Sequence, residues 1–156
     1  MKRRSINVPI VTEWRSYTPT FGAGFGTVIN ITFYSRRFGD TLDVTGVFTT
    51  GTVAGDTASI SIGFSGGNGN VTIDTSKVTS LGLIGSAQSS LASATHFCVF
   101  PIVSSGTLTT ISFAVQNSTT GFGSGAALGN VIAADGSKMS VSFRVPILGW
   151  KSTRTV

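Results

Sequence analysis

A chain of 156 residues is long enough for one domain with a core of its own. Charged residues make up only 11%, Glu occurs once (Glu13), and Gly and Phe number 20 and 11, a composition that disfavours a helical protein and suits strands joined by small-residue turns. The net charge of +5 divides unevenly: residues 1–20 carry +3, residues 144–156 carry +3, and the body between carries −1, which excludes a basic groove tracking a phosphate backbone.

The first twelve residues, MKRRSINVPIVT, read as an extended basic arm, with the domain proper at 13–156. The apolar run after the basic start is short and broken by Asn7 and Pro9, so no signal peptide is expected, and no segment approaches membrane-spanning length. Trp14, Tyr17, Phe21 and Phe25 follow closely. GAGFGT imitates a nucleotide loop but lacks the strand-then-helix context that would make it one, so a flexible surface loop is expected. A strand is expected over 27–35, then a Gly39-Asp40 turn. In DTLDVTGVF the period-two alternation puts Leu42, Val44, Gly46 and Phe48 on one face. ASISIGF repeats the pattern with Ile60, Ile62 and Phe64.

Further strands are expected over 70–74, 78–85 and 95–103, with SAQSSLASA (86–94) the best local candidate for a helical turn in a chain without a convincing helix. TISFAVQ alternates through Ile111, Phe113 and Val115. A strand over 128–133 and an Asp135-Gly136 hairpin lead into KMSVSFRVPI, where Met139, Val141, Phe143, Val145 and Ile147 share a face. Eight to ten strands with regular turns point to an all-β fold, an antiparallel β-sandwich of jelly-roll type.

Residues able to do chemistry are sparse. Cys98 is the sole cysteine and alternates with His96 and Phe100, so a buried inert thiol is expected and no disulfide is available. One His and one Cys two residues apart do not make a zinc site. Asp56, Asp74 and Asp135 lack the spacing of a calcium loop, and no nucleophile elbow or paired carboxylates stand out. No cofactor or metal is expected. YSRRFGDTLDVTG concentrates Arg36, Arg37, Asp40 and Asp43 in this neutral chain, and it reads as a scaffold corner in which Arg36 or Arg37 pairs with Asp40 or Asp43. NIT, NVT and NST, starting at Asn30, Asn70 and Asn117, match a glycosylation sequon of little meaning without a secretory signal.

EWRSYTPTFGAGFGT, YSRRFGDTLDVTGVFTTGT, ASISIGF and SFRVPILGWKS together resemble a domain widespread in phage virion proteins, found in tail-fibre tips, appendages and capsid-associated proteins. The resemblance is carried by Trp14, Tyr17, Pro19, Thr20, Tyr34, Arg36 or Arg37, Gly39, Asp40, Gly46, Val145, Pro146, Gly149 and Trp150. It implies a β-sandwich that often trimerises, without enzymatic chemistry. A decoration or cement protein of the outer capsid surface, made in the host cytoplasm, is the expected role, with the major capsid protein as partner. The alternative is a glycan-binding receptor tip on a tail or appendage, using loops near residues 22–26, 66–70 and 121–125.

The basic ends either dock on an acidic protein surface or only aid solubility. On the first reading Lys2, Arg3, Arg4, Ile6, Val8 and Ile10 contact the shell, the arm ordering on binding or adding to a strand edge. Trp14, Tyr17, Arg37 and Trp150 are the expected subunit-interface residues. Neither nucleic acid nor membrane is an expected partner.

Overall fold

The computed structural model describes residues 6–78, 83–90, 96–103, 108–117, 121–122 and 127–155; Lys2, Arg3 and Arg4 lie outside them. The elements in chain order are β1 (Asn7–Pro9), β2 (Arg15–Ser16), a 3-10 turn (Ala23–Phe25), β3 (Ile29–Phe38), β4 (Thr41–Thr49), β5 (Ser59–Ser61), β6 (Gly63–Phe64), β7 (Gly67–Asn68), β8 (Gly85–Ser89), β9 (His96–Ile102), β10 (Thr110–Asn117), β11 (Gly121–Phe122), α1 (Gly129–Ile132), β12 (Lys138–Pro146) and β13 (Thr153–Thr155). The strand pairings are antiparallel, so the fold is all-β, as the alternation predicts.

A nine-stranded sheet runs β11-β10-β9-β8-β12-β4-β3-β2, with β5 on the far side of β10. The chain after β2 joins its two ends. Tyr17 N–H donates to the Phe33 carbonyl of β3, and Phe21 bridges Ile60 of β5, with Gly22 N–H donating to the Ser59 carbonyl. The sheet therefore curls round one core. Leu42, Val44 and Phe48 of β4, Met139, Val141, Phe143 and Val145 of β12, and Ile60, Ile111 and Phe113 from the opposite side all lie inside it. Phe25 links the two halves, its ring 5.0 Å from Phe48 and 5.6 Å from Phe113. Edge-to-face geometry of this kind adds to the burial of these rings.

Phe25 also corrects the reading of GAGFGT as a surface loop. The 3-10 turn carries a fully buried phenylalanine, and Gly24 packs so tightly on Gly129 that a Cβ at either would overlap the other's backbone. Two glycine-rich stretches thus form one internal contact, while residues 123–126 of the second lie outside the described residues.

Within the expected strand 128–133, Gly129–Ile132 form α1, and Leu128 makes only a single bridge to Thr57. Gly129 and Asn130 N–H groups, which have no acceptor within a helix's first turn, donate to the Asp56 and Ala54 carbonyls. Asp135-Gly136 is a turn, but it joins α1 to β12 and so is not a hairpin; Asp135 accepts from Val53 N–H at 2.8 Å. The expected turn over 86–94 is a strand as far as Ser89, because β12 supplies a ladder edge for Ala87 and Gln88; residues 91–94 lie outside the description. No strand forms over 70–74, where Ile73 makes only a single bridge to Ile147. Of 78–85, residues 79–82 lie outside the description and β8 begins at Gly85.

Candidate functional site

In β4 the residues between Leu42, Val44 and Phe48 point away from the core. Asp43 is one of them, and cross-strand register sets it opposite Arg36 of β3 on one side and Arg144 of β12 on the other. The three make a row across the outer face of the sheet. Arg36 Nε donates to Asp43 Oδ2 at 3.1 Å and Arg144 Nη2 to the same oxygen at 3.0 Å, while Arg144 Nε donates to Oδ1. The two guanidinium groups cover the Asp43 side chain, which is only 9% exposed. The hydrogen bond to Asp43 raises the pKa of Arg144 above its ordinary value.

Aromatic rings frame this row. Arg36 lies 4.6 Å from the centre of the Trp14 ring and Arg144 lies 5.0 Å from that of Phe38. Trp14 and Phe38 are themselves exposed. Beside Trp14 opens a groove of about 410 Å³ lined by Trp14, Arg36, Asp43, Ser86, Ser142 and Arg144. It continues past Ile84 and Arg144 into a second hollow of about 530 Å³ beside Asp40, Lys77, Leu83 and Pro146. There Lys77 Nζ pairs with Asp40 at 3.0 Å and with Asp74 at 3.4 Å. The Lys77 hydrogen bond holds the Asp40 carboxyl below the usual carboxylate range; for Asp74 the leading cause is the Ser76 hydroxyl at 2.6 Å.

Of the pairings expected between Arg36 or Arg37 and Asp40 or Asp43, Arg36–Asp43 is present. Asp40 pairs instead with Lys77, which lies 37 residues away in the chain. Sequence reading did not single out Arg144 or Lys77. Alternation in SFRVP does place Arg144 on the polar face, but only the β4–β12 register shows that Asp43 is its neighbour.

Of the expected interface residues, Trp14 is 43% exposed and stacks on Arg36. Tyr17 is a correction: it lies in the core with its ring 5.8 Å from that of Phe33, and burial pushes its phenol pKa up. Its hydroxyl faces the Ser61 carbonyl. Arg37 is engaged within the chain. Its Nε donates to the Gly39 carbonyl at 2.7 Å, its Nη2 to the Lys151 carbonyl at 2.9 Å, and its guanidinium caps the Trp150 ring at 4.6 Å. Trp150 also meets Phe64 edge-on, at 5.1 Å, and its backbone N–H donates to the Ile147 carbonyl.

The N-terminal arm is docked from Asn7 onward. Asn7, Val8 and Pro9 pair with Thr155, Arg154 and Thr153, and Ile10 N–H donates to the Ser152 carbonyl. Ile10 carbonyl in turn accepts from Gly39 N–H. Ile6 is 60% exposed, whereas Val8 and Ile10 are half-buried.

Among the described residues no group of three or more His, Cys, Asp or Glu side chains converges as a metal site would require, and no helix is long and apolar enough to cross a membrane. The side chains of His96 and Cys98 on β9 lie outside the described ones. Asn70 is a clamp on the β6–β7 turn, exchanging two hydrogen bonds with the Phe64 backbone. Comparison with known protein families, curated proteins and solved structures yields no match to this chain.

Proposed function

We propose that this chain is a phage virion structural protein that binds the outer capsid shell as an oligomer, a decoration or cement protein. The observation that carries the reading is the β1–β13 ribbon, which pairs Asn7–Pro9, the stretch that follows the basic start of the sequence, with Thr153–Thr155 of the basic C-terminal segment. Arg154 sits in the ribbon opposite Val8, Lys151 just before it, and both are exposed. A cationic pole on a neutral body suits an acidic protein lattice. Among the described residues the ribbon is two-stranded, with three residue pairs and no third strand beside it. Two strands are marginal alone, so a strand edge of the shell would complete a small sheet.

Electron microscopy of virions carrying labelled protein tests the role: label at many regularly spaced head sites supports decoration, and label confined to the tail overturns it. Removing residues 1–5 tests the basic pole while leaving β1 in place. Capsid binding is expected to weaken and to lose part of its salt dependence; unchanged binding removes Lys2, Arg3 and Arg4 from the contact. A second reading, a glycan-binding receptor tip, is favoured by exposed Trp14 beside Arg36 and Arg144.

A further inference from the structure

We propose that the groove between Trp14 and Arg144 binds a carboxylate-bearing saccharide, a sugar of the uronate or sialate type, through donors that Asp43 leaves free. The proposal deepens the receptor-tip reading, but it concerns binding by the isolated protein and holds wherever on a virion the chain sits. Asp43 occupies Nε of Arg36 and Nε and Nη2 of Arg144. Among the described residues nothing accepts from the two Nη groups of Arg36 or from Nη1 of Arg144. Both side chains reach solvent, 31% and 53% exposed, and both line the groove. The row thus has an excess positive charge and fixed, planar donors, the geometry that matches a carboxylate. Asp43 holds the forks in place, so little side-chain freedom is lost on binding.

The rest of the surface favours a sugar over an acidic peptide. From Arg144 to Lys138 the outer face of β12 runs about 20 Å at ~3.3 Å per residue. Along it the register lines up Thr45, Ser142 and Ser86, then Val47, Ser140 and Gln88. These rows offer neutral hydroxyl and amide groups suited to ring hydroxyls, and Trp14 offers an amphipathic ring at one end. A bound peptide would seek backbone partners at a sheet edge. Among the described residues β4, β12 and β8 each have a neighbouring strand on both sides, so the groove floor is not a sheet edge. The groove lies on the sheet face.

The test is titration of the full chain with a tetra-uronate, its neutral hexose counterpart and a glutamate tetrapeptide, followed by calorimetry and by NMR of the Trp indole and Arg Nε–H signals. The tetra-uronate is expected to bind at least about tenfold more tightly than the other two, a difference of one good charge-assisted contact, shifting the signals of Trp14, Arg36 and Arg144. Trp14→Ala leaves both ion pairs intact and is expected to weaken uronate binding by about tenfold without loss of fold. Arg144→Lys keeps the charge beside Asp43 but removes the fork, and a similar loss is expected. Equal binding of the neutral sugar, tighter binding of the peptide, no binding at millimolar uronate, or shifts that map away from the groove would each overturn the proposal. Label position on virions leaves these outcomes unaffected, so failure of the site and failure of the decoration reading are separately visible.

Discussion

The ring of Phe33 occupies the space in which a side chain at Gly46 would stand. A Cβ built there falls 2.5 Å from Phe33 Cε1, and the two residues are cross-strand partners in the β3–β4 hairpin. Gly46 therefore has a packing role that its place in DTLDVTGVF does not reveal. Gly46→Ala forces the ring off its seat against Tyr17 and Phe48. Chemical denaturation should show a loss of about 1–3 kcal/mol, the usual range for overpacking. A loss under about 0.5 kcal/mol would mean that the ring has room to slide.

Asp43 is a shared acceptor, and its removal is expected to cost more than an exposed ion pair would. Asp43→Asn retains the shape but replaces one charged oxygen with a donor facing Arg36 and Arg144. A destabilisation of roughly 2 kcal/mol is expected, from charge-assisted bonds lost and a like-polarity contact created. Equilibrium urea unfolding checks it, and a change no larger than that of an exposed pair would show that solvent screens the row.

Arg37→Ala should release the C-terminal segment. It removes the donors to the Gly39 and Lys151 carbonyls and the cap on Trp150. The expected cost is about 1–2 kcal/mol, accompanied by a red shift of tryptophan emission and faster amide exchange in β13. An unaltered emission maximum would mean that Phe64, the Ile147 carbonyl and the core hold Trp150 without the Arg37 cap. If assembly onto capsids survives in the variant, Arg37 acts inside the chain and not on a neighbouring subunit.

Ser35 is fully buried in β3, and its hydroxyl has no partner among the described residues. An unsatisfied buried polar group costs free energy that a methyl group does not. Ser35→Ala should leave stability unchanged or raise it by up to about 1 kcal/mol. A loss above that figure would reveal a hydrogen bond formed in solution.

Acid sensitivity should depend on Lys77. Asp40 and Asp74 titrate below their ordinary value of 3.8 in the folded chain, so the unfolded chain takes up protons first as pH falls. Their stabilising contribution is present above that value and is lost as pH falls through the lower folded ones. Lys77 is raised above 10.5, so its contribution is present below that pH and is lost only as pH rises through the folded value. Lys77→Met should flatten the dependence of stability on pH below about 4. Asp74 keeps its Ser76 hydrogen bond, so part of the slope should survive. Thermal melts from pH 2 to 6 compare the two proteins, and parallel curves would show that the cluster is screened.

The all-β class, the long strands and most of the core were legible in the sequence. Period-two alternation is a local property, and burying one face of a strand is enough to make it visible, as in Leu42, Val44 and Phe48 or Met139, Val141 and Phe143. The basic ends and the Arg36–Asp43 pair were equally local: charges can be counted, and these two residues flank one tight turn. Other features depended on partners distant in the chain. Gly129–Ile132 turn helical because the Asp56 and Ala54 carbonyls accept the amide protons of Gly129 and Asn130, and Ala87 and Gln88 extend because β12 lies beside them. Tyr17 left the candidate interface because Phe33 and the Ser61 carbonyl surround it. Arg144 met Asp43 across 101 residues, and the N-terminal arm met β13 across 148. Alternation determines which face a side chain takes, but register and closure of the sheet decide what stands opposite it. The groove, the ribbon and the charged row therefore belong to the tertiary structure.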